Sequence, residues 1–164
     1  MALARFIAKV FSPLRSGLLL LKTPRAFAPP RSSEKTASHL QLGRRGEKIA
    51  ARFLRRKHGY KILYRNFRAP HGGEIDIVCR DGDTLVFIEV KTRSRTDFGA
   101  PAEAVNRAKQ ELIARGAFAW LRMLDNPDVL FRFDIVEIVV DRDGGKPQIN
   151  LIQNAFQLPE RFIY

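Results

Sequence analysis

The chain carries one cysteine, Cys79, among 164 residues. An intramolecular disulfide is therefore excluded, and a reducing, cytoplasmic setting is expected. Its three histidines, His39, His58 and His71, are scattered without zinc-ligand spacing. Long apolar runs are missing too. Leu18 to Leu21 is far too short to span a bilayer, so no stable membrane insertion is expected. No zinc finger, recognition helix or aromatic stacking motif is legible, which excludes a prediction of base-specific reading. Acids are scarce: 17 Asp and Glu stand against 29 Lys and Arg, a formal net charge of +12. Such a balance is the footprint of a protein that meets a polyanion, nucleic acid included.

That surplus is divided between two regions. Residues 1–40 hold seven Lys or Arg against one acid, and residues 41–164 hold twenty-two against sixteen. Pro29-Pro30-Arg31-Ser32-Ser33 reads as a linker, so residues 1–40 are expected to be a disordered basic extension. Ala26-Phe27-Ala28 resembles a signal cleavage site, but the apolar run before it is weak and broken by Lys22. Residues 41–158 are long enough for one domain with a core, and 159–164 form a short tail. Hydrophobic residues are 45% of the chain, ordinary for a folded globule.

Within the domain, two apolar runs contain charges that need explaining. Gly72-Gly73-Glu74-Ile75-Asp76-Ile77-Val78 and Phe87-Ile88-Glu89-Val90-Lys91-Thr92-Arg93 both read as strands. Asp81-Gly82 between them is a strong hairpin signal. With those two residues as the turn, paired residue numbers sum to 163, so Asp76 faces Phe87 and Glu74 faces Glu89. Side chains alternate along each strand, which puts Glu74, Asp76, Glu89 and Lys91 on one face. Ile75, Ile77, Cys79, Val86, Ile88 and Val90 take the other.

Burying an unpaired charge costs several kcal/mol. Two carboxylates, Asp76 and Glu89, match the few protein oxygens that Mg²⁺ (or Mn²⁺) accepts while it keeps waters. Lys91 falls on the same face, where it can stabilise charge developing on a phosphate. Glu74 is either a further ligand or an exposed strand-end charge. A bland alternative is a Glu–Lys pair that only neutralises itself, worth little at a surface.

Gly43 to His58 predicts a helix closed by Gly59, with Ile49, Ala50, Phe53 and Leu54 as its apolar stripe. Glu47 lies at the inward edge of that stripe, as a site residue or as an acid favoured by the helix dipole. Arg44, Arg45, Arg52, Arg55 and Arg56 cover the other side, a solvated face first and phosphate contacts second. Tyr60 to Phe67 predicts a strand. Arg93 and Arg95 lie in a polar loop that leaves the strand of Lys91, suitably placed to grip a nucleic-acid backbone. A long helix is predicted from Pro101 to about Leu124, bent or divided at Gly116. Its Arg107, Lys109 and Arg115 read as surface charge ahead of phosphate contacts. A strand follows at Val129 to Val140, where Asp134 is expected to anchor a loop or Arg132. A short strand near Gln148 to Ile152 ends the domain. The fold class is α/β, a mixed central sheet flanked by helices.

Asp76, twelve residues, then Glu89-x-Lys91, with a hydrophobic strand around each half, resembles the PD-(D/E)xK nuclease signature. Ile75 stands where that signature has Pro. The wider string resembles the YraN-like family of small bacterial proteins. It comprises Gly43-Arg44-Arg45-Gly46-Glu47, Tyr60 to Phe67, Gly73 to Ile77, Phe87 to Arg93, Lys109-Gln110, Arg132-Phe133-Asp134 and Asn154-Ala155-Phe156. The resemblance implies a restriction-endonuclease-like fold with an α-β-β-β-α-β core plus a short final strand. It also implies, as in archaeal Holliday junction resolvases, that Asp76 and Glu89 bind metal, that Lys91 assists the chemistry, and that Glu47 is an additional site carboxylate.

Three functions follow as expectations. The first is a Mg²⁺-dependent endonuclease hydrolysing phosphodiesters of DNA, branched or structured substrates included. The second is a non-catalytic nucleic-acid-binding module that keeps the nuclease fold. The third, a small-molecule phosphoesterase, is disfavoured by the net charge. Cutting both strands of a duplex would favour a homodimer.

Overall fold

The computed structural model of the chain describes residues 34–94, 105–140, 145–159 and 162, with 34–40 described by backbone alone. Its elements are α1 (Glu34–Lys57), β1 (Lys61–Arg68), β2 (Glu74–Asp81), β3 (Thr84–Ser94), α2 (Arg107–Met123), β4 (Phe131–Val140) and β5 (Gln148–Phe156). The order of helix, three strands, helix and two strands is the expected one, a restriction-endonuclease-like mixed α/β fold.

Boundaries differ from expectation in several places, among them the start of α2 at Arg107 and of β4 at Phe131 and the end of β3 at Ser94. α1 begins at Glu34 instead of Gly43, so the helix runs through residue 40. β5 continues past Ile152 to Phe156. α2 is continuous across Gly116, with Asn106 as its cap: the side chain accepts the Lys109 N–H at 2.9 Å. Pro101 and Arg95 lie outside the described residues, as does the segment before Glu34. Among the described residues no helix is long and apolar enough to cross a membrane.

The strands lie in the order β1-β2-β3-β4-β5, antiparallel except for the parallel pair β3 and β4. Parallel neighbours need a crossover, and α2 lies in that connection. β3 is therefore central and covered on both faces, which explains why Leu85 to Ile88 is apolar without interruption. Leu85 and Phe87 pack with Ile113, Ala117 and Trp120 of α2. Val86 and Ile88 pack with Ala50, Ala51 and Leu54 of α1. Cys79 is buried in the α1 layer, and burial pushes its thiol well above the ordinary range, as suits an inert core residue. Trp120 stands edge-on to Phe67 with ring centroids 5.2 Å apart, a packing role.

Two details of the hairpin correct the sequence reading. The turn is Gly82-Asp83, not Asp81-Gly82, because Asp81 pairs with Thr84 and Ile77 with Ile88. Gly82 takes the left-handed φ of 57° that such a turn requires. This register differs from the predicted one by two positions, and an even slip preserves the faces. Ile75 does leave its predicted face, packing in the α2 layer and not with Ile77 and Cys79. The ladder between β2 and β3 ends at the Ile77–Ile88 pair, and beyond it β2 is held by β1 alone, through Phe67–Ile75 and Arg68–Glu74. Gly116 of α2, lacking a side chain, gives Ile75 the space.

At the opposite end of β2, a polar network ties β2, β4 and β5 to Tyr60, the residue just before β1. Arg132 Nε donates to both oxygens of the fully buried Asp134 at 3.0 and 3.2 Å. Its second nitrogen donates to Asp81 at 2.8 Å and to the Tyr60 hydroxyl at 2.6 Å. Asp134 also accepts the backbone N–H of Asn154 at 2.9 Å. Burial works against the Arg132 charge, but its bonds to Asp134 and Asp81 hold it more firmly protonated than usual. Asp134 thus anchors Arg132, as the sequence suggested, and holds β5 in place of the expected loop.

Candidate functional site

Two glycine contacts bring the helices onto the start of β2 and the end of β3. A Cβ on Gly46 of α1 would collide with the Thr92 side chain of β3, so the helix lies close against that strand and delivers Glu47 to the sheet. Gly73, at φ 109°, backs onto Gly116, where a Cβ would lie 2.5 Å from the Gly116 nitrogen. This approach sets the first turns of α2 over Glu74 and the end of β3.

Asp76 sits one step past the Ile77–Ile88 pair, where β2 and β3 part. Its carboxylate takes over the ladder, and Oδ2 accepts the Val90 N–H at 2.8 Å. Glu89 is 5% exposed, within reach of two ammonium groups. Lys91 Nζ is 3.8 Å from one of its oxygens, and Lys109 Nζ is 3.3 Å from the other. That second oxygen, Oε2, is buried and has no hydrogen-bond partner. Lys109 also donates to Glu74 at 2.6 Å.

The electrostatics follow from this crowding. Burial, then the negative charge of Asp76, pushes the Glu89 carboxyl up to about 7 against the pull of Lys109 and Lys91. Burial also raises Asp76, opposed by the Val90 N–H and Lys109 and reinforced by Glu47 and Glu74. Glu74 moves the other way, lowered chiefly by its bond from Lys109. Lys109 is itself held above its ordinary value: burial opposes the charge, but Glu74, Glu89 and Asp76 outweigh it. Asp76 and Glu89 are thus two neighbouring carboxyls short of positive charge.

Glu47 contributes to the same field and lies 3.9 Å from Arg65, its side chain largely covered. Arg93, expected in a loop, instead lies within β3 opposite Val139 of β4 and is engaged by Glu137 at 3.2 Å. Arg44 and Arg45 are exposed on α1. His71 is exposed in the loop before Glu74, as expected of a solvated residue.

Lys109 is the residue the sequence reading misplaced as surface charge. One physical signal was available: a lysine in the first turn of a helix opposes the macrodipole, and α2 has no acid there to compensate. Its counter-charges come from β2 and β3. Arg107 is a surface residue as expected, 77% exposed and 4.0 Å from Glu111.

Among the described residues no three His, Cys, Asp or Glu side chains converge as a ready-made metal cage. The donor set is the pair Asp76 and Glu89. Both lean toward protonation, and the buried Glu89 Oε2 faces the Lys109 ammonium at 3.3 Å without a well-aligned hydrogen bond. This pair fits a hard cation that keeps most of its waters.

A model of the "Uncharacterised protein family UPF0102" matches residues 46–138, the span that holds Glu47, Asp76, Glu89, Lys91 and Lys109. The chain belongs to this family. It is 50% identical over 86 residues to a UPF0102 protein of Geobacter metallireducens, covering 52% of this chain and 69% of that one. A UPF0102 protein of Geotalea daltonii is 48% identical over 86 residues, 52% of this chain and 67% of its own. One from Chlorobaculum tepidum is 46% identical over 92 residues, 54% of this chain and 71% of its own. A solved structure titled "Crystal structure of SSO0001" covers 74% of this chain and 55% of its own at 15% identity. The TM-score is 0.36.

Proposed function

We propose that this protein is a divalent-metal-dependent nuclease that hydrolyses phosphodiesters of nucleic acid, DNA in the first instance. The observation that carries the reading is the convergence of Asp76 and Glu89, two mostly buried carboxylates pushed toward protonation, beside the ammonium groups of Lys91 and Lys109. Asp76 and Glu89 are the residues that would hold Mg²⁺ or Mn²⁺. Bound there, such an ion supplies an activated water and neutralises a phosphoryl oxygen.

The remaining roles belong to the chain itself. Val90 fixes the Asp76 carboxylate through its N–H, so that one oxygen stays oriented without rotamer search. Lys91 projects next to Glu89 and stabilises negative charge on the phosphate as it is attacked. Lys109 holds Glu74 and Glu89 in place, and its ammonium gives the closed site the positive charge it needs when no phosphate is present. Glu47 and Arg65 border the site from the α1 side.

A second reading is a nucleic-acid-binding module without turnover. Lys109 favours it, since an internal ammonium 3.3 Å from Glu89 already neutralises part of the acid pair. Cleavage of linear, single-stranded and four-way-junction DNA separates the two, run with Mg²⁺, Mn²⁺ or chelator. The nuclease reading expects metal-dependent cutting that Asp76→Ala and Glu89→Ala abolish while binding persists. Binding without cutting under every condition selects the module. Cutting that survives both substitutions contradicts the assigned site.

A further inference from the structure

The flank of α1 that faces away from Glu47 carries a second feature. A trough of about 430 Å³ lies between α1 and the start of β5. Its cations are Arg45, Lys48, Arg52, Arg56 and Lys57, and no acid lines it. Its floor is apolar, made by Ile49 and Phe53 of the helix and by Ile149 of β5, all half-buried.

The charge is uncompensated. Lys109, Arg132, Arg93 and Arg65 each lie within 4 Å of a carboxylate, whereas among the described residues none of the five trough cations does. Residues 41–164 have a surplus of six positive charges, and five cations without a carboxylate within 4 Å line this one flank, among other unpaired ones elsewhere. Helix geometry sets Lys48, Arg52 and Arg56 in one row, with neighbours four positions apart and about 5–6 Å between Cβ atoms.

We infer that this trough binds a single strand of nucleic acid, its phosphates on the row Lys48, Arg52 and Arg56 and its bases against Phe53 and Ile149. Cations alone would suit any polyanion. The apolar floor with an aromatic ring adds what exposed bases require and what a duplex, with its bases stacked inside, does not offer. An acidic peptide or an anionic membrane would use the cations and leave the ring without a flat partner. The trough starts at Arg45 and Lys48, which flank Glu47 in sequence, so a strand lying in it runs along α1 away from the acid pair. The inference rests on the proposed nuclease reading only for the identity of the polymer, and makes the trough a docking groove outside the site of chemistry.

The test uses the full chain in chelator, with fluorescein-labelled oligothymidylate read by anisotropy across a salt series. Arg52→Gln/Arg56→Gln removes two exposed charges that have no carboxylate partner among the described residues, and a thermal melt verifies its fold. The expected result is at least a tenfold loss of affinity at low salt. The slope of log K against log salt should shrink by about 1.4, the share of two phosphate contacts on a single strand. Phe53→Leu, which keeps apolar bulk, should weaken oligothymidylate binding several-fold and leave heparin binding unchanged. Wild-type protein that binds no nucleic acid removes the polymer and the trough together. Binding that the double variant leaves intact overturns the trough alone, and metal-dependent cutting by that variant at wild-type rate would show the nuclease reading surviving it. Preference for duplex, polyglutamate or phosphatidylglycerol vesicles over oligothymidylate also overturns the assignment.

Discussion

Gly73 and Gly116 meet with no side chain between them, and this contact sets helix α2 over the acid pair. A Cβ on Gly116 would lie 2.9 Å from the Ile75 Cγ1 and 3.2 Å from the Glu74 nitrogen. Gly116→Ala therefore has to push back the start of β2. Overpacking of this kind costs about 1–3 kcal/mol, and urea denaturation should show it. Gly73→Ala should cost more, because its φ of 109° is strained for any L side chain and the obstacle is backbone.

Glu89 makes the stability of the metal-free protein depend on pH in a direction opposite to that of an ordinary acid. Its folded value of about 7 lies above the ordinary 4.5. The folded state thus holds this proton more tightly than the unfolded state does. The stabilisation is complete below about pH 4.5 and is lost as pH rises through 7. Glu89→Gln should flatten that decline and stabilise the protein at pH 8 by roughly 1–3 kcal/mol. Thermal melts in chelator across this range provide the measurement.

Lys109→Met removes the charge that restrains both neighbours. Glu74 should return toward the ordinary carboxylate range, and the Glu89 midpoint should rise above 7, both read by carbon-13 carboxyl shifts. An unchanged Glu89 titration would mean that Lys109 does not face the acid pair.

Asp134→Ala leaves the buried side of Arg132 without its partner. Removing one member of a buried ion pair costs about 3–5 kcal/mol, so this variant should be the least stable of the set. The network lies at the Asp81 end of β2, remote from Glu74. Metal affinity of whatever fraction folds should therefore match that of the unaltered chain.

Much of the architecture was legible because both periodicities are strong. Alternation in the hairpin and the stripe of Ala50, Phe53 and Leu54 led to the right elements in the right order. The face shared by Glu74 and Glu89 was legible as well, since an even error in register leaves parity intact. Ile75 was misplaced because strand alternation cannot register a helix glycine that opens space across the layer. Lys109 was misplaced for a related reason. On its own helix it resembles any surface lysine, and only the tertiary approach of α2 to β2 and β3 reveals its partners. The division of α1 at residue 40 came from charge composition, which says little about where a helix starts.

The most direct test of the account is calorimetric titration of Mn²⁺ and Mg²⁺ into the full chain near pH 7, compared with Asp76→Ala and Glu89→Ala. The account predicts one site per chain that both substitutions eliminate. It also predicts proton release on binding, since the ion displaces the proton that Glu89 holds near neutrality. A folded protein that takes up neither ion, or binds it equally well without Asp76 and Glu89, contradicts it.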